Sequence, residues 1–384
     1  MDLDLAPEQQ DFVKTVRSFV DDAIRPNAER WDEEHELPME AVKQMADLGL
    51  FGLPYPEEYG GSGADFLTLC LAIEEIARVD SSLAITLEAA VGLGSMPVYR
   101  FGTDEQRRRW LPRLASGEAM AGFGLTEPGA GSDAGSTQTT AKLDGGEWVI
   151  NGSKAFITNS GTSITDFVTV TAITGQENGH KEISSIIVPN GTPGFEVGRQ
   201  YRKMGWWHSD THELSFNDCR VPEENLLGEK GQGFRNFLQI LDDGRIAIAA
   251  LAVGLAQGCV DESIKYAQER QAFGRPIGSF QGLQFKIADM ATKTDLARHA
   301  YYRAAWLKEQ GRPYKKEAAQ AKLYASTIAV DVARDAVQVH GGYGYIEEFP
   351  VCRHFRDSKI LEIGEGTSEV MRILIARELG LPES

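Results

Sequence analysis

Cysteine is scarce in this sequence, and it forms no metal-binding or disulfide pattern. The 384 residues include four cysteines, Cys70, Cys219, Cys259 and Cys352, which are widely separated and form no CxxC pair. Disulfide frameworks and structural metal sites use closely and regularly spaced cysteines. We therefore expect reduced thiols, a reducing compartment and no bound metal.

Basic charge is also in short supply. Lys and Arg number 39 against 56 Asp and Glu, which gives a formal net charge of −17. Such a protein repels nucleic acid, so nucleic acid is excluded as a general partner. An anionic ligand would have to be bound by local cations or by helix N-termini.

Long hydrophobic runs are absent as well. No uninterrupted apolar run approaches the roughly 18 residues that a membrane span needs, so no membrane insertion is expected. The first residues, MDLDLAPEQQ, are acidic and contain neither a signal-peptide core nor an Arg/Ser-rich transit segment. We expect a cytoplasmic protein, or one of the mitochondrial matrix if a transit peptide has been removed.

The length and the hydrophobic pattern predict three domains in an α+β, mainly α fold. Residues 1–118 are predicted to be helical because apolar residues such as Phe12, Val16 and Phe19 recur at helical spacing. Residues 119–232 have the period-two alternation of a β domain, and Asp144-Gly145-Gly146 predicts a hairpin turn there. Segments 148–150, Asn151-Gly152 and 156–158 are predicted to continue this meander. Residues 233–384 predict a bundle of four helices.

The glycine-rich segment FGLTEPGAGSD, residues 123–133, opens the β domain. It contains GxG but lacks the third glycine of the dinucleotide fingerprint, and a β pattern follows it instead of a helix, so we exclude a Rossmann site. Its free backbone N–H groups and the hydroxyls of Thr126 and Ser132 would suit a planar polar heterocycle or a pyrophosphate. A plain connecting loop is the alternative.

Two further clusters are compatible with a flat cofactor. Phe156 and Thr158 are two residues apart on a predicted strand and so point to one face, where a ring and a hydroxyl could contact the same ligand. An aromatic side chain in the β core is the alternative. The segment QVHGGYG, residues 338–344, is predicted to be a helix C-terminus, and a cofactor role is compatible with that. His340 has no triad partners nearby and is interpreted as structural.

A single carboxylate, Glu365, lies between Gly364 and Gly366 just before an apolar-periodic helix. Because glycine adopts backbone dihedrals that other residues avoid, we predict that the two glycines shape this loop to aim the carboxylate. The alternative is an acidic residue that interacts with the positive end of the helix dipole.

Six motifs in this order resemble the acyl-CoA dehydrogenase family over essentially the whole chain. They are TEPGAGSD (126–133), KAFITN (154–159), KMGW (203–206), ERQAFGRPI (269–277), QVHGGYGY (338–345) and EGTSEVMR (365–372). The resemblance implies a helical N-terminal domain, a middle β-barrel-like domain and a C-terminal four-helix bundle. It also implies bound FAD, an acyl-CoA substrate desaturated between Cα and Cβ, an electron-transferring flavoprotein as acceptor, and a homotetramer.

The resemblance further implies roles for individual residues. Glu365 would be the catalytic base, and Ser132, Asp242, Arg245 and Gly366 would contact the substrate. The positions that match FAD-binding residues of the family are Phe123, Leu125, Thr126, Gly131, Ser132, Phe156, Ile157, Thr158, Arg270, Phe273, Gln281, Gln338, Val339, Gly341, Gly342, Thr367 and Glu369. Of these, Arg270, Gln281 and residues 338–342 would bind the FAD of a neighbouring subunit.

Two departures bear on the site. Phe156 stands where many relatives have tryptophan, which removes an N–H donor but keeps a ring. Gly244 stands where some relatives carry the base on another helix, which leaves Glu365 as the sole candidate. Glu88 is expected on a solvated helix face, with a place at the end of the acyl pocket as the alternative. An acyl-CoA oxidase and an inactive flavin-binding scaffold are the alternative functions.

Overall fold

The computed structural model describes residues 4–177 and 179–382, so the ends of the predicted N- and C-terminal domains lie outside the described residues. The N-terminal part of the chain is helical, as predicted. Its helices are α1 (Pro7–Phe19), α2 (Ala28–Glu34), α3 (Met39–Asp47), α4 (Phe66–Ala77), α5 (Ser81–Glu88), α6 (Met96–Phe101) and α7 (Asp104–Ala115). Asp65 and Asp80 cap α4 and α5 by accepting hydrogen bonds from the backbone N–H groups of Thr68 and Leu83.

The middle part is one eight-stranded sheet, which confirms the predicted β domain. Its strands are β1 (Met120–Gly124), β2 (Thr140–Asp144), β3 (Glu147–Thr158), β4 (Thr165–Glu177), β5 (His180–Pro189), β6 (Phe195–Gln200), β7 (Thr211–Pro222) and β8 (Leu226–Leu227). They pair in the order β6-β7-β3-β2-β4-β5-β8, and β1 pairs in parallel with β4. The buried core inside this sheet comes from β2 to β7 alone, so the sheet curls around its own inward-facing side chains, as a barrel does.

Two predictions for segments of this sheet have different outcomes. The Asp144-Gly145-Gly146 hairpin is confirmed, since Gly145 and Gly146 have φ of +63° and +85° between the paired strands β2 and β3. The segments 148–150, Asn151-Gly152 and 156–158, predicted to continue the meander, lie together in a single strand, β3. Residues 147–158 form one strand, and its register against β7 shifts at Gly152, which marks a β-bulge.

The C-terminal part is helical, as predicted. It contains α8 (Gly233–Glu269), α9 (Gln281–Glu309), α10 (Lys315–His340), α11 (Pro350–Ser358) and α12 (Ser368–Glu378), with a short hairpin of β9 (Gln271–Ala272) and β10 (Arg275–Pro276) before α9. Helix α10 packs against α8, α9, α11 and α12. The bundle consists of the three long helices α8, α9 and α10 and the much shorter α12, and α11 is a further short helix that packs against α10.

Two helical stretches, Ser81–Phe101 and Gly233–Glu269, are long and apolar enough to cross a membrane by length and composition alone. Their most apolar windows are 89% and 83% buried inside the protein, so burial in the common core accounts for their composition. These stretches contain scattered polar residues, which is why a search for uninterrupted apolar runs misses them. Among the described residues, no group of three or more His, Cys, Asp or Glu side chains could hold a metal ion.

Candidate active site

Glu365 lies on a short turn that follows a 3₁₀ helix, Lys359–Glu362, and precedes α12. Thr367 is the N-cap of α12, and its side-chain hydroxyl accepts a hydrogen bond of 3.3 Å from the backbone N–H of Val370. The other predicted residue of this segment, Glu369, is exposed in the first turn of α12 and forms an ion pair with Arg372 at 3.4 Å. The turn therefore ends in a capped helix N-terminus.

The backbone of this turn is strained at the carboxylate residue itself. Glu365 has a φ of +52° and Gly366 a φ of +104°, whereas Gly364 is not among the glycines with positive φ. The prediction that both flanking glycines shape the loop was therefore wrong for Gly364. A left-handed φ at a residue other than glycine costs on the order of 1–3 kcal/mol and persists where the surroundings enforce it, commonly at functional sites.

The Glu365 carboxylate is buried and faces a second buried carboxyl group. Both oxygens of Glu365 and both oxygens of Glu88, on α5, are buried and have no hydrogen-bond partner among the described residues if both groups are ionised. A methyl group added at Gly244, on α8, would lie 2.1 Å from Glu365 Oε2 and 3.7 Å from Glu88 Oε1. The space left by Gly244 is thus what admits the Glu365 carboxylate. Glu88 is fully buried, so the solvated helix face expected for it was wrong.

Burial and mutual repulsion make this pair weakly acidic. Burial raises the pKa of Glu365, while a hydrogen bond with Glu88 and the positive charges of Lys322 and Arg245 oppose that rise. Burial and the negative charge of Glu365 raise the pKa of Glu88 well above its usual range. Glu88 is therefore the member of the pair that holds a proton, and its hydroxyl can donate to Glu365.

Two buried cations lie near Glu365. Lys322, on α10, is 0% exposed, and its Nζ donates a hydrogen bond of 2.6 Å to the backbone carbonyl of Gly366. Arg245, on α8, is buried and forms an ion pair with Asp242, and its Nε has no partner among the described residues. Burial raises the pKa of Asp242. The structure therefore brings Arg245 and Asp242 to the same region as Glu365 and Gly366.

The glycine-rich segment after β1 is supported by a buried ion pair. Lys154, on β3, is 0% exposed, and its Nζ lies 2.8 Å from Glu127 Oε1 and 3.2 Å from the carbonyl oxygen of Leu125. Glu127 accepts hydrogen bonds from the backbone N–H groups of Gln138 and Thr139, and the Lys154 charge helps to lower the Glu127 pKa to about 2 despite burial. Nothing in the sequence motif separates these two residues from ordinary polar neighbours.

The side chains predicted to line the cofactor differ in exposure. Phe156 is 65% exposed with a φ of +61°, and Thr158 is partly exposed, whereas Ile157 is 2% exposed and packs in the sheet core. Any ligand contact from Ile157 would be through its backbone. Gly131 and Ser132 are exposed, and nothing lies within 4 Å of where a side chain at Gly131 would start.

Helix α8 connects this segment to the base. The ring of Phe123, on β1, stacks on Phe237 with 3.9 Å between centroids, and Gly244 follows two turns later on α8. At 1.5 Å per residue, Phe237, which contacts Phe123, and Gly244, which faces Glu365, are roughly 10 Å apart along the axis of this helix. The glycine-rich segment after β1 and the carboxyl pair of Glu365 and Glu88 therefore lie near the two ends of one stretch of α8.

A separate cleft of about 480 Å³ brings together another part of the predicted set. Its lining includes Arg270, Val339, Gly341 and Gly342, and contains neither Glu365 nor any residue of 123–158. Arg270 lies over the ring of Tyr343 at 5.5 Å. Three further predicted residues, Phe273, Gln281 and Gln338, are exposed. The predicted cofactor residues thus form two groups, as expected if each cofactor is bound by two subunits.

Models of the three domains of one enzyme family match the chain in order. The acyl-CoA dehydrogenase N-terminal domain matches residues 6–118, the middle domain matches 122–219 and the C-terminal domain matches 231–380. The chain belongs to the acyl-CoA dehydrogenase family. It is an oxidoreductase of that family, and a probable acyl-CoA dehydrogenase of Bacillus subtilis, YngJ, is 52% identical over 99% of this chain and 100% of its own.

Solved structures of the family have the same fold. Butyryl-CoA dehydrogenase of Megasphaera elsdenii superposes with a TM-score of 0.95 at 42% identity, covering 99% of this chain and 100% of its own. A glutaryl-CoA dehydrogenase of Mycobacterium smegmatis in complex with FADH2 has a TM-score of 0.92 at 32% identity, covering 98% of this chain and 95% of its own. The family resemblance and the fold class predicted from the motifs are thereby confirmed.

Proposed function

We propose that this acyl-CoA dehydrogenase uses FAD to desaturate an acyl-CoA thioester to the trans-2-enoyl-CoA, with Glu365 as the base that removes the α-proton. The observation that carries the proposal is the Glu365 carboxylate, which is buried, has no partner other than the neighbouring carboxyl group of Glu88 for its oxygens among the described residues, and lies in the gap left by Gly244. Burying a carboxylate that has so few hydrogen-bond partners lowers the stability of the folded protein. This loss of stability is explained if the carboxylate acts on a bound substrate.

The raised pKa suits this role. An α-proton of a thioester is weakly acidic, and an ordinary carboxylate is a poor base at neutral pH. A carboxylate whose pKa is raised by burial is better matched to remove that proton. The backbone N–H of Glu365 donates no hydrogen bond to the described residues, so it is free to stabilise the developing negative charge on the thioester carbonyl.

The residues around the glycine-rich segment fit a flavin. The open backbone at Gly131, the exposed Ser132 hydroxyl and the exposed Phe156 ring offer hydrogen-bond donors and a stacking surface for a flat, polar cofactor. Leu125, Thr126 and the backbone of Ile157 would complete this side, and the complex of the related glutaryl-CoA dehydrogenase supports FAD as the cofactor. When bound, FAD supplies the acceptor for the β-hydride.

The second group of predicted residues supports an assembly of subunits. Arg270, Gln281 and residues 338–342 would bind the FAD of a neighbouring subunit in a homotetramer built as a pair of dimers, and Phe273 would be a further cofactor-binding residue. Arg245 and the N-terminus of α12 supply local positive potential for the substrate in an otherwise acidic protein. An electron-transferring flavoprotein would take the electrons, in the cytoplasm or in the mitochondrial matrix.

Anaerobic titration of the purified holoprotein with acyl-CoAs tests this proposal. We expect butyryl-CoA, the substrate in the name of the Megasphaera relative, or a homologue with a longer or branched chain to bleach the flavin absorbance. Bleaching that reverses rapidly in air would favour the oxidase. Stable flavin absorbance with every acyl-CoA of the panel would favour the inactive scaffold and contradict the proposal.

A further inference from the structure

Lys322 is a charged side chain buried in an alanine-rich stretch of α10. It is 0% exposed, as are Ala318, Ala319, Ala321 and Ala325 around it. A buried lysine is rare unless a partner stabilises it. Among the described residues, the only hydrogen-bond partner of its Nζ is the carbonyl oxygen of Gly366, at 2.6 Å. The ammonium group thus points at the turn that holds Glu365.

This hydrogen bond lies where the backbone is strained. Gly366 directly follows Glu365, and both residues have positive φ. A left-handed conformation at a glutamate persists only where the surrounding structure enforces it. On one side, the N–H of Gly364 donates to the Ile360 carbonyl at 2.8 Å, and on the other side Lys322 holds the Gly366 carbonyl. Lys322 thus supplies a hydrogen bond from outside the segment to the second half of the turn.

The charge of Lys322 also acts on the carboxyl pair. Negative groups face it from the turn (Glu365), from the preceding 3₁₀ helix (Glu362) and from α12 (Glu369), and the cation Arg245 faces it from α8. Glu88 faces Glu365 from α5. Burial lowers the pKa of Lys322 to about 8, and the negative charge of Glu365 opposes that lowering. Lys322 therefore remains a cation at neutral pH and counteracts the burial that disfavours the ionised Glu365.

We propose that Lys322 is a positioning residue for the base: it fixes the turn of Glu365 and Gly366 through the Gly366 carbonyl, and its charge keeps Glu365 ionised beside the neighbouring Glu88 and the low-dielectric core. The proposal rests on the proposed function, because it concerns the base assigned there. Lys322 itself exchanges no proton with the substrate.

The effect of Lys322 is measurable in the pH profile of kcat/KM. The profile of the wild type rises with pH as Glu365 of the free enzyme loses its proton. An opposite charge close to a carboxyl group lowers the pKa of that group by about 1–3 units. Lys322→Met should therefore shift the rising part of the profile at low pH, its acidic limb, to higher pH by about one unit. Above the limb, kcat should fall on the order of tenfold to hundredfold, since a small displacement of a base is costly.

A comparison of Lys322→Met with Lys322→Arg separates the effect of the positive charge of residue 322 from its effect on the position of the turn that holds Glu365. Lys322→Arg keeps the charge, so its acidic limb should stay near that of the wild type even if kcat falls. Lys316→Met is the matched control, because Lys316 is also on α10 and is 37% exposed beside Glu317. It should leave both the limb and kcat unchanged.

Amide hydrogen exchange gives a readout that does not depend on turnover or on correct loading with flavin. In Lys322→Met, the segment 362–370 should exchange faster than in the wild type, while the other helices of the bundle keep their protection. An unmoved acidic limb together with unchanged exchange in this segment would overturn the role of Lys322. Activity retained in Glu365→Gln would instead overturn the assignment of the base, so the two failures are distinguishable.

Discussion

At the residue scale, the decisive feature is a carboxylate that is weakly acidic because it is buried. Burial raises the pKa of Glu365, and activity requires its ionised form. As the pH falls through this raised pKa, Glu365 gains a proton and the base is lost. We expect the acidic limb of kcat/KM to have its midpoint above the ordinary glutamate value of about 4.3. A steady-state pH series measures it, and a midpoint at or below that value would contradict the burial argument.

Gly244 provides the space for this carboxylate. A side chain at Gly244 would place its first carbon 2.1 Å from Glu365 Oε2, so Gly244→Ala must displace the base. We expect a loss of kcat on the order of a hundredfold, with FAD still bound. Gly282→Ala is the matched control on α9, because nothing lies within 4 Å of the added methyl group there. Equal activity of both variants would show that Glu365 needs no such space.

At the scale of elements, the ion pair of Lys154 and Glu127 connects β3 to the glycine-rich segment after β1. Lys154→Met would leave the Glu127 carboxylate buried without its cation, which costs about 3–5 kcal/mol. We expect a lower apparent melting temperature and a weaker hold on FAD, measured by thermal unfolding and by flavin release. Lys142→Met, at an exposed position on β2, should change neither. An unchanged Lys154→Met would contradict a supporting role of the pair.

Local sequence patterns predict well which segments form helices, strands and turns. They predict poorly the irregularities within these elements, such as β-bulges. Asp144-Gly145-Gly146 predicts its hairpin because two consecutive left-handed residues leave few alternatives. Asn151-Gly152 has a similar composition but forms a bulge inside β3, because pairing with β7 on both sides continues the strand. Pairing with strands distant in sequence decides whether such a segment forms a turn or a bulge, and a single sequence does not show that pairing.

The same limit applies to the candidate site. The turn of Glu365 is marked by its flanking glycines, although the left-handed φ belongs to Glu365 and Gly366. Glu88 and Lys322 carry no local signal of a function, because their meaning comes from helices distant in sequence that meet at Glu365. The alanines around Lys322 at helical spacing do indicate a buried face, and that is the sign by which it could have been found.

At the scale of the whole molecule, the three parts of the chain meet around buried polar contacts. Trp206, in the middle part, donates its backbone N–H to Asp357 of α11 at 2.7 Å and its indole N–H to Ser81 of α5 at 3.1 Å. We propose domain limits of 1–118, 119–232 and 233–384. Such contacts join the middle part to both helical parts through buried hydrogen bonds.

The exposed aromatic residues of the C-terminal part predict an assembly. Phe273 is 95% exposed on the loop between β9 and β10, and a large exposed apolar side chain beside a predicted cofactor site suggests an interface. We expect Phe273→Asp to break up the proposed homotetramer, seen as a lower mass in sedimentation experiments, and to weaken FAD binding. Leu143→Asp, 48% exposed on β2, is the control and should do neither. A wild-type protein that is monomeric with FAD bound would contradict the shared site.

The most direct test of the central claim is the rate of flavin bleaching in Glu365→Gln. The variant keeps the size of the side chain and removes the base. Mixed anaerobically with an acyl-CoA that bleaches the wild type, and followed in a stopped-flow spectrometer, it should bind FAD and substrate normally yet bleach slower by a factor on the order of 10² or more. Bleaching at the wild-type rate would show that another group removes the α-proton.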